Sequence, residues 1–260
     1  MKIHLFFILL QIHLVSAFIS SVSFRTVKQF SNNNKDNKII TISPAGLGGF
    51  YLLGIITYIK EHYDTTDYTI LGASAGAWAS LPMVYNEDID ILVNDILTNF
   101  YDPYLNLSEE DLTISHSLFN LQYRMKHILL SGYDEINFDL HRMNIATNVL
   151  SKNGIRLAII GDIKTLPIAV STCFASSHIP YITGEGLFGV DNYYFFDGGL
   201  CGFPPQNLNT HLNISPDMWG YQIKDIFNIK KYDNDALIGL YYKGYYDTEN
   251  NKNILDEYLI

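Results

Sequence analysis

The stretch from Lys38 to Gly76 constrains this chain more than any other part of it. Lys38-Ile39-Ile40-Thr41-Ile42-Ser43 is a short β-branched run and reads as a buried strand. Pro44-Ala45-Gly46-Leu47-Gly48-Gly49 follows as a glycine-rich turn, and Phe50 to His62 then spaces Leu52, Leu53, Ile56 and Ile59 as one helix face does. Asp64-Thr65-Thr66-Asp67 breaks that helix, and Tyr68-Thr69-Ile70-Leu71 reads as a second strand. Strand, helix and strand within about thirty residues form a βαβ unit, which requires a parallel strand pair. The expected class is therefore α/β, with a central, mostly parallel sheet.

Later elements follow the same pattern. Helices are expected at 75–85, 89–100, 116–130 and 166–174, and strands at 156–160, 193–196 and 236–242. Pro82 implies that the helix after the second strand is short or bent. Neither an internal repeat nor a dividing linker is visible within 39–260, so that stretch reads as one domain.

Three places carry chemistry. Gly72-Ala73-Ser74-Ala75-Gly76 lies between a strand and a helix and matches the nucleophile elbow G-x-S-x-G. A serine at such a turn is lifted clear of the sheet, and the helix N-terminus behind it favours developing negative charge. The glycine-rich turn has nucleotide-loop readings that fail: Tyr51 stands where a dinucleotide fingerprint needs Gly, and Ile55 where a P-loop needs Lys. What survives is a plain strand-to-helix turn, or a loop of backbone N–H groups set beside Ser74 by the parallel pair. The latter is where an oxyanion hole has to be. Asp197-Gly198-Gly199 follows the apolar run Tyr193-Tyr194-Phe195-Phe196 and reads either as an ordinary turn or as a general base for Ser74.

A third catalytic member is less evident. Ser74, Asp197 and His211 fall in the chain order of an α/β-hydrolase triad, but that fold sets several strands before its elbow, and only one βαβ unit fits here. His178 precedes Asp197, and His116, His127 and His141 fall in expected helices. No paired-His metal spacing is present, so neither a metal nor a cofactor is expected. A Ser–Asp dyad is the simplest reading.

Composition excludes one class of partner. The net charge of −10 argues against nucleic acid, and two cysteines are too few for a disulfide scaffold. Met1–Ala17 reads as a signal peptide, with Lys2, an apolar run from Ile3 to Val15 and small residues at Val15-Ser16-Ala17. The alternatives are a membrane anchor, for which the run is short, or a buried N-terminal helix. Residues 18–38 are rich in Ser, Asn and basic side chains and read as a disordered leader or transit-like segment. The expected route is secretory (secreted or luminal), and the Ala17-Phe18 junction also resembles the two-part leaders of algal plastid proteins. Lys2, Arg25, Lys28, Lys35 and Lys38 against Asp36 give residues 1–38 a net +4, which leaves −14 on the remainder.

Together the motifs resemble the patatin-like phospholipase domain. The resemblance runs from about Ile39 to Pro205 and takes in Gly49-Phe50-Tyr51-Leu52-Leu53-Gly54, Gly72 to Gly76 with Ala77-Trp78, and Asp197-Gly198-Gly199. It also takes in Ser171-Thr172-Cys173-Phe174 and Ile179-Pro180, which are similar to the segment before the family's Asp, especially in its triacylglycerol-lipase branch. The resemblance implies a three-layer α/β/α sandwich, Ser74 as nucleophile, Asp197 as general base, and Gly46, Leu47 and Gly48 as oxyanion donors. It further implies hydrolysis of acyl esters of phospholipids, galactolipids or acylglycerols. Gly49, Gly72, Gly76, Gly198 and Gly199 support the motifs. Departures from the family pattern are Pro44 and Ala45 at the start of the loop, Gly48 in place of a basic or bulky residue, and Gly202 in place of an Asn.

The expected partner is a lipid at a membrane or droplet surface, met through apolar contact because −14 repels anionic headgroups. A triad esterase using His211 and a non-catalytic lipid-binding relative are the rival readings. Asn106-Leu107-Ser108 and Asn213-Ile214-Ser215 are glycosylation sequons in a secretory protein, and Cys173 and Cys201 read as free thiols or a pair.

Overall fold

The structure is a computed structural model and describes residues 23–34, 37–99, 118–184, 186–190, 193–222 and 234–259. Its centre is the expected βαβ unit. β2 (Lys38–Ile42) and β3 (Tyr68–Ala73) run parallel, with Ile42 level with Gly72, and α2 (Gly49–His62) connects them. β4 (Met143–Ser151) adds parallel to β3, and β8 (Leu212–Ile214) adds parallel to β2. Beyond β4 the sheet turns antiparallel, through β5 (Gly154–Gly161) on one path and the hairpin β6 (Phe188–Val190) and β7 (Tyr193–Phe196) on another. The fold is thus mixed α/β, with a sheet that is parallel through its centre and antiparallel along one flank.

Alternation along the strands divides the core between the two sheet faces. Ile40, Ile42 and Ile70 join the large cluster beneath α2, α3 (Ala75–Met83), α4 (Ile89–Asn99) and α6 (Leu166–Ser176), whereas Ile39, Leu71 and Ala73 face the other way. On that second face Phe30 of α1 (Val27–Asn33) and Leu208 cover the sheet.

The disordered reading of residues 18–38 does not hold over residues 23–34. Ser23–Arg25 is a strand, β1, antiparallel to β5, and α1 follows it with a fully buried Phe30. Thr26 caps α1 in a reciprocal box with Gln29, so two helix-end donors are satisfied locally. Basic, Ser-rich composition hid a segment that packs through one aromatic side chain. The signal-peptide reading for residues 1–17 and the sequon at Asn106 lie outside the described residues.

Two further readings change. Residues 236–242, expected as a strand, belong to α7 (Asn234–Asn250), which α8 (Lys252–Leu259) follows. A short apolar run does not by itself separate strand from helix. Here Leu237, Leu240 and Tyr241 are the buried positions, and that is helical spacing. α7 lies unusually close to α2: a Cβ on Gly54 would meet the Tyr241 carbonyl at 2.0 Å, and one on Gly244 the Tyr51 carbonyl at 2.1 Å. β4 was not expected at all, because Asn144, Thr147 and Asn148 interrupt its apolar pattern. All three are buried, and each has a partner: Thr147 Oγ1 donates to the carbonyls of Ala175 and Phe196, both at 3.0 Å.

Asn213 is also built into the sheet. Its carboxamide oxygen accepts from Thr41 Oγ1 at 2.8 Å and Ser43 Oγ at 3.1 Å, which disfavours glycosylation of the folded chain there. Cys173 and Cys201 are both free thiols, the first buried and the second exposed.

Candidate active site

Ser74 ends β3 and begins α3 with φ 56° and ψ −125°, a strained left-handed conformation for a residue with a Cβ. The flanking glycines permit it. A Cβ on Gly72 would meet Gly76 O and Ser80 Oγ at 2.3 Å, and one on Gly76 would meet Ile42 O at 2.1 Å. The strand and helix therefore close on each other through bare backbone, and the hydroxyl is carried to the C-terminal edge of the parallel strands. In open α/β sheets that edge is where ligands bind.

Asp197 arrives from the end of β7. Its backbone N–H donates to His178 O at 2.8 Å, its carbonyl accepts from Asn148 Nδ2 at 2.6 Å, and Gly198 N–H donates to Ser176 O at 2.7 Å. Gly198 and Gly199 are required by close approach: added Cβ atoms would meet Ala146 O at 2.3 Å and Pro44 Cγ at 2.7 Å. The carboxylate is then fixed at both oxygens. Oδ1 accepts from Gly199 N–H at 2.8 Å, and Oδ2 accepts from Ser74 Oγ at 2.5 Å. The two side chains come together across 123 residues of chain, and they are only 8% and 7% exposed. Burial pushes the Asp197 carboxyl above the usual aspartate range, and the bonds from Ser74 and Gly199 offset part of that rise.

The glycine turn sits opposite. Gly46–Gly48 forms one turn of 3₁₀ helix, with Gly46 at φ 53°. Gly48 N–H donates to Ala45 O at 2.8 Å, so the expected third oxyanion donor is already used within the turn. Gly46 and Leu47 have no acceptor for their N–H groups among the described residues, and both line the same cavity as Ser74. Ala75, the first residue of α3, also lines it with an unpartnered N–H, as the opening residues of a helix must have. Gly46, Leu47 and Ala75 are thus the cavity-lining residues of the turn and elbow whose N–H groups are free. Ala75 is not among the donors expected from the sequence, although the elbow motif itself implies one after the serine.

Among the described residues no histidine meets Ser74 or Asp197 through its ring. His211 precedes β8, and its N–H donates to Ile39 O at the start of β2, while its ring meets Tyr68 at the start of β3. Ser74 lies at the other end of that strand, roughly 15–20 Å away at 3.3 Å per residue. The triad reading with His211 fails on this distance. His178 is buried, its Nε2 is bonded to Gly186 O at 3.0 Å, and desolvation lowers its pKa.

A supporting serine, not expected from the sequence, stands behind the dyad. Ser176 Oγ accepts from Ser74 N–H at 2.8 Å and donates to Ala146 O at 2.7 Å, while its own carbonyl holds Gly198. One residue thereby ties the elbow, β4 and the Asp197 turn together. Ser176→Ala strands the Ser74 N–H in a buried site, at about 1–3 kcal/mol. The expected result is a loss of about 100-fold in kcat on an ester substrate with KM little changed, measured by steady-state kinetics beside a thermal melt.

Ser74 and Asp197 open into a cavity bounded by α2, α3, α4 and α5 (Leu118–Gly132). Its walls are apolar: Leu47, Phe50, Leu53, Trp78, Ala79, Pro82, Ile96, Leu121 and Met125. Polar groups are confined to one end and its flank. There Gln122 Nε2 donates to Ser177 Oγ at 2.9 Å, and Trp78 Nε1 donates to the same hydroxyl at 3.0 Å. The chain matches no protein-family model, and a search of curated proteins finds no match.

Proposed function

We propose that this protein is a lipid acyl hydrolase of the patatin-like type, a three-layer α/β/α sandwich working through a Ser74–Asp197 dyad and an acyl-enzyme. The observation that carries the reading is the 2.5 Å bond from Ser74 Oγ to Asp197 Oδ2 at the mouth of a cavity walled by apolar side chains. Helices on one sheet face and α1 on the other are consistent with three layers, the second outer layer being thin.

The proposed mechanism uses the dyad and the free N–H groups around it. Asp197 takes the Ser74 proton as Oγ attacks the ester carbonyl, and the resulting oxyanion accepts from the N–H groups of Gly46, Leu47 and Ala75. The alcohol leaves with that proton, and water then attacks the acyl-enzyme with Asp197 again as base.

The apolar cavity supports an acyl-chain substrate. Ala75, Trp78, Ala79 and Pro82 form one face of α3 along its length, a run of roughly 10 Å at 1.5 Å per residue. An extended acyl chain advances about 1.2 Å per bond, so about eight carbons fit beside this face alone. A fluorophosphonate probe should label the wild-type protein and leave Ser74→Ala unlabelled. Equal labelling of the two would overturn the assignment of the nucleophile, and no labelling of the wild type would favour a lipid binder without catalysis.

A further inference from the structure

Beside the cavity mouth is a loop whose conformation is costly and whose apolar side chains face water. Residues 179–184 leave the end of α6, and Ile179 and Thr183 line the cavity. Between them Tyr181 is 88% exposed and Ile182 47% exposed. Tyr181 also adopts φ 63°, a left-handed conformation that a bulky aromatic residue rarely takes.

The loop is held in that state by its own hydrogen bonds. Tyr181 N–H donates to Gly184 O at 2.8 Å, and Ile182 N–H to Ile179 O at 3.0 Å. Thr183 is buried; its Oγ1 accepts from Ile179 N–H at 2.7 Å and donates to Ser177 O at 2.8 Å. Strain held at a residue that shows its ring to solvent points to a use outside the molecule. Leu200, three residues past Asp197, is 64% exposed as well.

We infer that the 179–184 loop is an interfacial anchor: Tyr181 and Ile182 enter a zwitterionic phospholipid surface and set the cavity mouth against it. The inference rests on the lipid-hydrolase reading above. Continuity supports it, since Ile179 inside the cavity and Ile182 outside give a lipid chain an apolar path from bilayer to Ser74. Charge selects the surface. The described residues of the loop carry no ionisable group except the Tyr181 phenol, and a chain of net −10 is repelled by anionic headgroups. An aromatic ring with a polar tip is suited to headgroup depth.

The test uses the full chain carrying Ser74→Ala, so that binding is read without turnover, and phosphatidylcholine vesicles in a flotation assay. Adding Tyr181→Gly and Ile182→Ser should weaken vesicle binding about tenfold or more. Glycine suits φ 63°, so the melting temperature should hold or rise. In the chain with Ser74 intact, the same two changes should leave hydrolysis of a short, water-soluble ester unchanged while slowing hydrolysis of vesicle lipid. As a second readout, Tyr181→Trp should blue-shift its fluorescence when vesicles are added.

Unchanged flotation, or no spectral shift, would overturn the anchor. So would a wild-type dimer that the loop changes convert to monomer, since the patch would then be a self-interface. Absence of all esterase activity would count against the hydrolase reading, while flotation would still report on the surface.

Discussion

Ser74→Ala and Asp197→Asn should each lower kcat/KM for ester hydrolysis by about 10⁴-fold or more, and the double variant should be no worse than either alone. Non-additivity is expected because the two side chains share one proton through the 2.5 Å bond. Asparagine at 197 can still accept from Gly199 N–H through Oδ1, so the turn is kept. Its Nδ2, however, donates toward Ser74 Oγ where the carboxylate accepted, and the hydroxyl then has no base. Additive losses in steady-state kinetics would sink the dyad.

The pH profile belongs to the same prediction. Burial raises the Asp197 pKa, and the base works only when ionised. The acid limb of kcat/KM should therefore lie above the usual aspartate value of about 3.9. The stability sign is opposite. A carboxyl whose folded pKa is raised binds its proton more tightly in the native state. Its contribution is present below the unfolded value and lost as pH rises through the folded one. Asp197→Asn should accordingly be as stable as wild type or more so at neutral pH, which urea titration can measure.

Gly76→Ala carries the second large effect, this time on folding. The new methyl would stand 2.1 Å from Ile42 O, and that neighbour is strand backbone, which cannot rotate away. β2 and α3 would have to separate at this contact. The expected cost is about 3–5 kcal/mol, read as a fall in thermal midpoint together with loss of probe labelling at Ser74. Gly132→Ala is the control, because a Cβ there meets nothing within 4 Å.

Much of the site was legible in the residue order because its parts are local. A β-branched run, a glycine turn and an elbow serine dictate strand, crossover and sharp turn through backbone sterics alone, so β2, α2, β3 and Ser74 could be read directly. Asp197 was legible by type, as a carboxylate closing an apolar strand. Ser176 gave no such signal: a hydroxyl at the end of an apolar helix has no meaning until β4 and the elbow approach it. β4 itself was hidden because its buried Asn144, Thr147 and Asn148 look like loop residues until their partners are known.

The glycine turn marks the boundary most clearly. Its sequence determined that N–H groups would be exposed near Ser74, since glycines after a strand cannot continue the ladder. Gly48 spends its N–H locally, on Ala45 in the same turn, and only the tertiary structure brings Gly46 and Leu47, whose N–H groups are free, to the cavity that Ser74 lines. The same holds for His211, whose chain order fits a triad and whose place at the far end of the strands removes it. The sequence by itself determined the unit that lifts Ser74 and supplied the residue types for its chemistry. Which base meets the serine, which donors face it and which apolar walls surround it depend on contacts across more than a hundred residues, and only packing of the sheet and helices decides those.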